Sequence, residues 1–352
     1  MKYFYLILLF VMAAAVSSIL HFSGMILPWL FGAMIAAILF HRFVNTEFAY
    51  PKWLGSAGLI IIGAEIGSTF TEDTLIDMAD DYMNIILLSV LIVALSLLLS
   101  RFFMKLTGCS YETAVLATIP GALSQMIVMA EEEEKADLLL VTLTQMSRIV
   151  LVVIIVPFIA SLAPHGSSVG INDVAAPLSE MLIPEMIWII VFAPLLIYIL
   201  GRLKFPVPVM IGPMIAILVW NLTTGYSFSV DIEFLYAAQL LFGLRIGMQI
   251  STLVNQLNTR MIVSMIIQNV LLIFGTMILV FLFIITTDHQ FTNLFLSAAP
   301  GGIGQIIIVA VEMDANIAMI SSYHIFRIFF ILLIIAPLIN FMLKRNRYSE
   351  DS

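Results

Sequence analysis

IPGALSQMIVMA occupies residues 119–130, and APGGIGQIIIVA occupies residues 299–310. Each is an apolar stretch cut by a Pro-Gly pair, with a glutamine four residues after the glycine. They lie 180 residues apart, and the same offset relates other motifs. PWLFGAM at 28–34 returns as PVMIGPM at 208–214, and IIGAEIG at 61–67 returns as LFGLRIG at 241–247. After a one-residue deletion, QMSR at 145–148 meets HIFR at 324–327. Four matches in one register are hard to produce by chance, so the chain reads as an internal duplication. Repeat one covers 1–163, a linker covers 164–180, repeat two covers 181–347, and 348–352 form a cytoplasmic tail.

The composition fixes the solvent. Mean hydropathy is +1.10, and 11% of 352 residues are charged, against roughly a quarter in soluble chains. Apolar runs of about 17–25 residues, the length that spans a bilayer core, recur along the chain. The expectation is an all-α polytopic membrane protein with the lipid bilayer as its principal partner. Residues 1–20 carry Lys2, an apolar run and AAAVSS, as a signal peptide would. Their counterpart at 181–200 sits in mid-chain, so both read as permanent spans. A net charge of −8 argues against a nucleic-acid partner. The single Cys109 excludes an internal disulfide and a cysteine-built metal site. No G-x-x-x-x-G-K-[ST] element binds a nucleotide. The histidines at 21, 41, 165, 289 and 324 have no ligand spacing. No metal, no cofactor and no enzymatic activity are therefore expected.

Each repeat offers six hydrophobic segments, and the charges between them set the topology. Lys2, Arg42, Lys52, Arg101, Lys105, Arg202, Lys204, Arg260 and the Lys344/Arg345/Arg347 cluster should all lie on the cytoplasmic side. If all six segments crossed, Arg202 and Lys204 would fall outside, and Arg260 and the basic C-terminus would fall on opposite sides. One non-crossing segment per repeat repairs both failures. The natural candidates are 111–130 and 294–311, folded as re-entrant hairpins around Pro120-Gly121 and Pro300-Gly301. Five crossings per repeat, an odd number, invert the second repeat relative to the first. The 180-offset counterparts of the basic loops should then be uncharged. Positions 222, 232, 281, 285, 22 and 24 are Leu, Ile, Phe, Ile, Phe and Gly. Both termini are cytoplasmic in this arrangement.

Non-helical backbone at membrane depth survives only where protein covers it or where it lines a watery cavity. Inverted repeats with broken segments meeting near the midplane belong to secondary transporters. The half-helix that starts after each Pro-Gly presents free N–H groups and a positive dipole end, an anion site in waiting. Ser124, Gln125 and Gln305 add side-chain donors and acceptors. A plain proline kink is the blander reading. Glu65 and Arg245 occupy equivalent positions with opposite charge, as an ion-coupling group or a structural pair. Gln145/Arg148 and His324/Arg327 each share a helix face at i, i+3. Such a face suits bidentate binding of a carboxylate or sulfonate, or else capping of carbonyls freed by the breaks. The EEEEK run at 131–135 reads as a solvated turn, and Asp137 as a helix cap.

These ordered motifs, with the Q-x-x-R of repeat one and the H-x-x-R of repeat two, resemble the membrane AbrB duplication family over nearly the whole chain. Family members are often labelled ammonia monooxygenase or regulator. The pattern is also distantly similar to cation/proton antiporters and anion transporters, whose folds use inverted repeats with crossing broken helices. The resemblance marks Pro28, Gly32, Gly63, Gly67, Pro120, Gly121, Gln125, Gln145 and Arg148 in repeat one. In repeat two it marks Pro208, Gly212, Gly243, Gly247, Pro300, Gly301, Gln305, His324 and Arg327. The chain departs from it with Ala122 in place of Gly and Gln305-Ile306 in place of Glu-Met.

The expected function is secondary active transport of a small organic anion or amino-acid-like solute, coupled to H+ or Na+, in a bacterial inner membrane. A homodimer is compatible with this. The alternative is a non-transport membrane regulatory protein that affects gene expression.

Overall fold

The computed structural model describes residues 2–44, 50–121, 123–162, 176–177, 183–203, 205–225, 228–256 and 259–350. The first half forms α1 (Lys2–Phe22), α2 (Pro28–Val44), α3 (Lys52–Thr69), α4 (Glu72–Asp80), α5 (Tyr82–Thr107), α6 (Tyr111–Thr118), α7 (Leu123–Glu132) and α8 (Leu138–Ser161). The second forms α9 (Ile183–Arg202), α10 (Pro208–Thr224), α11 (Ile232–Gln256), α12 (Thr259–Ile284), α13 (Phe291–Ala298), α14 (Ile303–Glu312) and α15 (Ile317–Phe330). A π-turn (Ile331–Ile335) then leads into α16 (Ala336–Glu350). The only strand pairing among the described residues joins Ala176–Pro177 to Phe228–Ser229.

Five segments are long and apolar enough to cross a membrane: Phe4–Phe22, Tyr82–Thr107, Leu138–Ser161, Thr259–Ile284 and Ile317–Leu343. The chain is a multi-pass, all-helical membrane protein. A sixth candidate joins α3 and α4, bent by 84°. Ten crossings were expected. Some of the remaining apolar helices are short, such as α2 and α10 at 17 residues each, or about 26 Å.

Helix boundaries repeat with the sequence motifs. α2 and α10 begin at Pro28 and Pro208, α6 and α13 at Tyr111 and Phe291, and α7 and α14 at Leu123 and Ile303. The residues before the two prolines, Leu27 and Val207, share left-handed backbone at φ 53° and 45°. The acidic segment 71–81 is mostly α4. Thr71 and Thr74 cap its start reciprocally, Thr74 Oγ1 accepting from Thr71 N at 2.7 Å and Thr71 Oγ1 from Thr74 N at 3.3 Å. Glu72 and Asp73 in the first turn suit its dipole.

The chain packs as two compact units, each drawing on both halves. One comprises Met1–Asp80, His165–Thr252 and Ile307–Met319. The other comprises Asp81–Pro164, Leu253–Ile306 and Ile320–Ser352.

In the first unit, glycines bring backbones into contact, as small residues do where lipid provides no hydrophobic drive. A Cβ on Gly63 would lie 2.2 Å from the Met210 carbonyl oxygen, and one on Gly243 would lie 2.2 Å from that of Leu30. Gly67 and Met214 repeat the contact at 2.6 Å, and Gly247 and Met34 at 2.4 Å. α3 therefore lies along α10, and α11 along α2. Adding 180 to α3 and subtracting it from α10 turns one contact into the other. α3 and α11 themselves run antiparallel, with Gly55 beside Arg245 and Gly58 beside Phe242.

The second unit shows the same reciprocity. Gly275 of α12 faces Leu95 of α5 at 2.7 Å, and these are equivalent positions of the two halves. Arg260 donates to the Leu106 carbonyl at 3.1 Å, so α5 and α12 are also antiparallel. The core of this unit joins Leu116, Ile119 and Met126 from the broken segment to Leu140 and Leu143 of α8 and to Ile331 and Ile335.

Candidate functional site at two helix breaks

Both breaks lie in the second unit. Ser110 caps α6, accepting from Thr113 N at 3.1 Å, and α6 ends at Thr118 before Pro120 and Gly121. After α7, the chain returns to where α6 began. Ser110 Oγ donates to the Lys135 carbonyl at 2.7 Å, and Asp137 N donates to Thr113 Oγ1 at 2.8 Å. Were α6 and α7 collinear, the end of α7 would lie roughly 27 Å from Ser110, and three residues reach only about 10 Å. α6 and α7 therefore form a hairpin turned at Gly121, whose φ of 114° is glycine territory. Asp137 caps α8 as expected, its Oδ1 accepting from Leu140 N at 3.0 Å. The glutamate run divides between the last turn of α7, Glu131 and Glu132, and the residues after it.

The carbonyls left open at the end of α6 are taken by α8. Arg148 donates from Nη2 to the Ala117 and Thr118 carbonyls, both at 2.8 Å. Its Nη1 donates to the Ile119 carbonyl at 3.0 Å and to Gln145 Oε1 at 2.9 Å. Its Nε donates to Asn269 Oδ1 at 3.2 Å. Five N–H groups thus find five acceptors. Gln145 Nε2 donates to the Leu116 and Ile119 carbonyls at 2.9 and 3.0 Å.

The second half builds the same device with a histidine. Arg327 Nη1 donates to the Ala298 carbonyl at 3.2 Å, and Nη2 to that of Ala299 at 2.9 Å. His324 Nε2 lies 2.9 Å from the Leu296 carbonyl, and its Nδ1 lies 2.8 Å from Arg327 Nη2. A carbonyl only accepts and a guanidinium only donates, so the ring is neutral with its hydrogen on Nε2. Leu116 and Leu296 are equivalent positions, so His324 performs the task of Gln145.

The two breaks cross over. A Cβ on Gly121 would meet Ile331 Cδ1 at 3.1 Å, while one on Gly301 would meet Val152 Cγ1 at 2.7 Å. Arg327 Nε lies 3.9 Å from that same Gly121 position. This Nε is buried without a hydrogen-bond partner. Arg148 holds the Ile119 carbonyl two residues away, so both guanidinium groups converge on the first break. They are 3% and 2% exposed, and among the described residues neither has a carboxylate within ion-pair distance.

Pro120, Pro300 and Gly301 are buried, Gln125 is half-buried on the first turn of α7, and Gln305 Oε1 folds back over Gly302. The Ser124 side chain and Ala122 lie outside the described residues. Glu65 and Arg245 are not brought together. Glu65 is buried and accepts from Val230 N at 3.4 Å, whereas Arg245 is exposed beside Gly55. Ten residues of α3, about 15 Å, separate the two. The cause is the antiparallel crossing near 60 and 240, which sends equivalent off-centre residues in opposite directions. Sequence reasoning missed Asn269. The adjacent amides Gln268 and Asn269 in the apolar run of α12 were the available signal, since polar groups inside spans need partners.

The architecture and the site define a class: a multi-pass helical membrane protein with a buried arginine at each of two related helix breaks. The chain belongs to the AbrB family, whose model, described as "Transition state regulatory protein AbrB", matches residues 29–343. It is 22% identical over 354 residues to "Uncharacterized protein YhjN" of Bacillus subtilis (strain 168), covering 92% of this chain and 90% of that one. It is 25% identical over 315 residues to "Putative regulator AbrB" of Escherichia coli (strain K12), covering 86% of each.

Proposed function

We propose that this protein is a secondary active transporter of a small organic anion or amino-acid-like solute, coupled to H+ or Na+. It works as two inverted repeats that alternate access to a site at the breaks, in a bacterial inner membrane with both termini cytoplasmic. The observation that carries this reading is the pair of buried guanidinium groups at the break, with no carboxylate partner among the described residues. A buried cation is costly and is normally paired. Here two positive charges and the N-terminal end of α7 converge, which favours an anion as the missing partner. Arg148 spends its five donors on three backbone carbonyls and two side-chain amides, so it positions the break. Arg327 Nε, facing Gly121, is the donor open to a carboxylate or sulfonate. The antiparallel pairing of equivalent helices, α3 with α11 and α5 with α12, supports inversion, and the α6–α7 hairpin supports a re-entrant segment.

The test is flux into proteoliposomes offered labelled carboxylates, sulfonates and amino acids. Wild type should move at least one of them, and Arg327→Ala should abolish that movement in folded protein. Uptake unchanged in both Arg327→Ala and Arg148→Ala would sink the proposal. The second reading, a regulatory membrane protein, draws on the family description and on the name of the E. coli relative. A transporter that changes a metabolite level would alter gene expression indirectly, so the two readings overlap.

A further inference from the structure

The first unit holds a carboxylate that the anion site does not use. Glu312 is the last residue of α14, the half-helix that begins after the second break. Its Oε1 accepts from Leu27 N at 3.3 Å, and its Oε2 accepts from Gln239 Nε2 at 3.2 Å. The other end of that amide, Gln239 Oε1, is buried with no donor, in a residue that is 1% exposed. Beside it lies a cavity of about 10 Å³ walled by Ile62, Leu235, Ile307 and Val311, at the threshold for a single water. An anionic oxygen and an amide oxygen without a donor are oxygen ligands that await a small hard cation.

Two further facts point the same way. Glu312 stands at the C-terminal end of a helix, where the backbone dipole is negative and a second negative charge is disfavoured until something neutralises it. The arrangement also belongs to one half only. The counterpart of Glu312 is Glu132, which is exposed, and the counterpart of Gln239 is Leu59. In a fold whose backbone contacts repeat so closely, a polar pair built in one half alone is a departure of the kind that marks function.

We propose that Glu312 and Gln239 form the site of the coupling cation, a proton or Na+. This rests on the transport reading above. Na+ would sit between Glu312 Oε2 and Gln239 Oε1. A proton on Glu312 Oε2 would be donated to the same Oε1 after the amide turns through half a rotation. In both cases the positive charge neutralises the carboxylate and gives the amide oxygen its missing partner.

The experiment reads ion binding on purified protein with no organic solute present, so it stands or falls separately from anion transport. One arm measures 22Na+ retained at pH 8. The other titrates protons between pH 5 and 9 in Na+-free choline buffer. Both compare wild type with Glu312→Gln and Gln239→Leu, each checked for an unchanged elution profile. For Na+, wild type retains about one ion per chain, Glu312→Gln none, and Gln239→Leu at least tenfold less at equal concentration. For a proton, wild type takes up one more proton than Glu312→Gln over that range. The site is overturned if neither arm separates wild type from Glu312→Gln. Loss of anion flux in Arg327→Ala with this ion signal intact would leave both proposals standing. An absent ion signal with anion flux intact would remove only this one.

Discussion

Arg148 and Arg327 hold equivalent positions and cap equivalent carbonyls, but the first makes five hydrogen bonds and the second three. Arg148 Nε finds Asn269 Oδ1 at 3.2 Å, while Arg327 Nε finds nothing and faces the other half's glycine. The first guanidinium is closed and the second has donors to spare, its Nε among them. Hydrogen bonds to a charged group contribute about 1.5–3 kcal/mol each, so five of them offset the several kcal/mol that burying a charge costs. A duplicated fold can thus keep one copy of a device as scaffold and open the other to a ligand.

The strongest way to break this comparison is to remove each arginine. Arg148→Ala leaves the carbonyls of Ala117 and Thr118 without their donors and should destabilise by about 3–5 kcal/mol, as loss of a fully engaged buried charge does. Arg327→Ala removes fewer bonds and should cost about 1–3 kcal/mol. Unfolding in detergent at matched conditions measures both. Equal losses would mean that the free Nε marks no division of labour.

The glycines at the turn come next. Gly121→Ala forces a Cβ at φ 114° and within 3.1 Å of Ile331 Cδ1, so it should destabilise by about 1–3 kcal/mol from backbone strain alone. Gly301 has no such φ, and its Cβ would press on Val152 Cγ1 at 2.7 Å, a side chain that can turn away. Gly301→Ala should cost about 1 kcal/mol or less if Val152 shifts. Thermal unfolding of the two variants gives the ranking, and a larger loss at Gly301 would reverse it.

These contrasts show what the sequence could and could not reveal. The Pro-Gly breaks, the 180-residue register and the i, i+3 pairing of Gln145 with Arg148 and His324 with Arg327 are all local or periodic, and they appear in the structure where the sequence puts them. The partners of the charges are not local. Arg148 and Arg327 sit on spans, yet what they grip is the end of another helix, about 30 residues earlier. Glu65 and Arg245 look like a pair because they are equivalent, but an antiparallel crossing separates equivalent residues unless they stand at its centre. Nothing local marks Glu312, because its partner Gln239 lies 73 residues away.

A milder test exchanges the two orienting side chains. Gln145 and His324 each donate to an equivalent carbonyl and accept from the neighbouring arginine. His324→Gln should therefore cost less than about 1 kcal/mol, since both roles are kept, whereas His324→Leu removes both and should cost about 1–3 kcal/mol. If His324→Gln proves as damaging as His324→Leu, the ring does more than orient Arg327.

The smallest effect concerns a polar latch that only one half possesses. Asp81, before α5, accepts from Asn84 Nδ2 at 2.6 Å and from the Tyr323 hydroxyl at 2.5 Å, and pairs with His289 Nε2 at 3.0 Å. The equivalent positions hold Met261, Cys109 and Thr144, which cannot make it. Burial pushes the Asp81 carboxyl up, but the hydrogen bonds from His289, Tyr323 and Asn84 outweigh burial and hold it below its ordinary 3.8. The hydrogen bond from His289 to Asp81 raises the imidazole above its ordinary 6.5 against the opposing effect of burial, and the charges of Asp81 and Asp288 add to the rise. For the carboxyl, the stabilisation is complete above pH 3.8 and is lost as pH falls through its lowered value. For the imidazole, it is complete below pH 6.5 and is lost as pH rises through its raised value. The latch should thus be firmest between those limits and loosen toward alkaline pH by less than about 1 kcal/mol, since the pair is partly exposed. Hydrogen exchange at residues 81–85, corrected for intrinsic rates, should quicken between pH 6 and 9 in wild type and lose that dependence in His289→Gln. Residues 261–265, where no such latch exists, serve as the internal control. An equal pH response in both stretches would show that the latch does not set it.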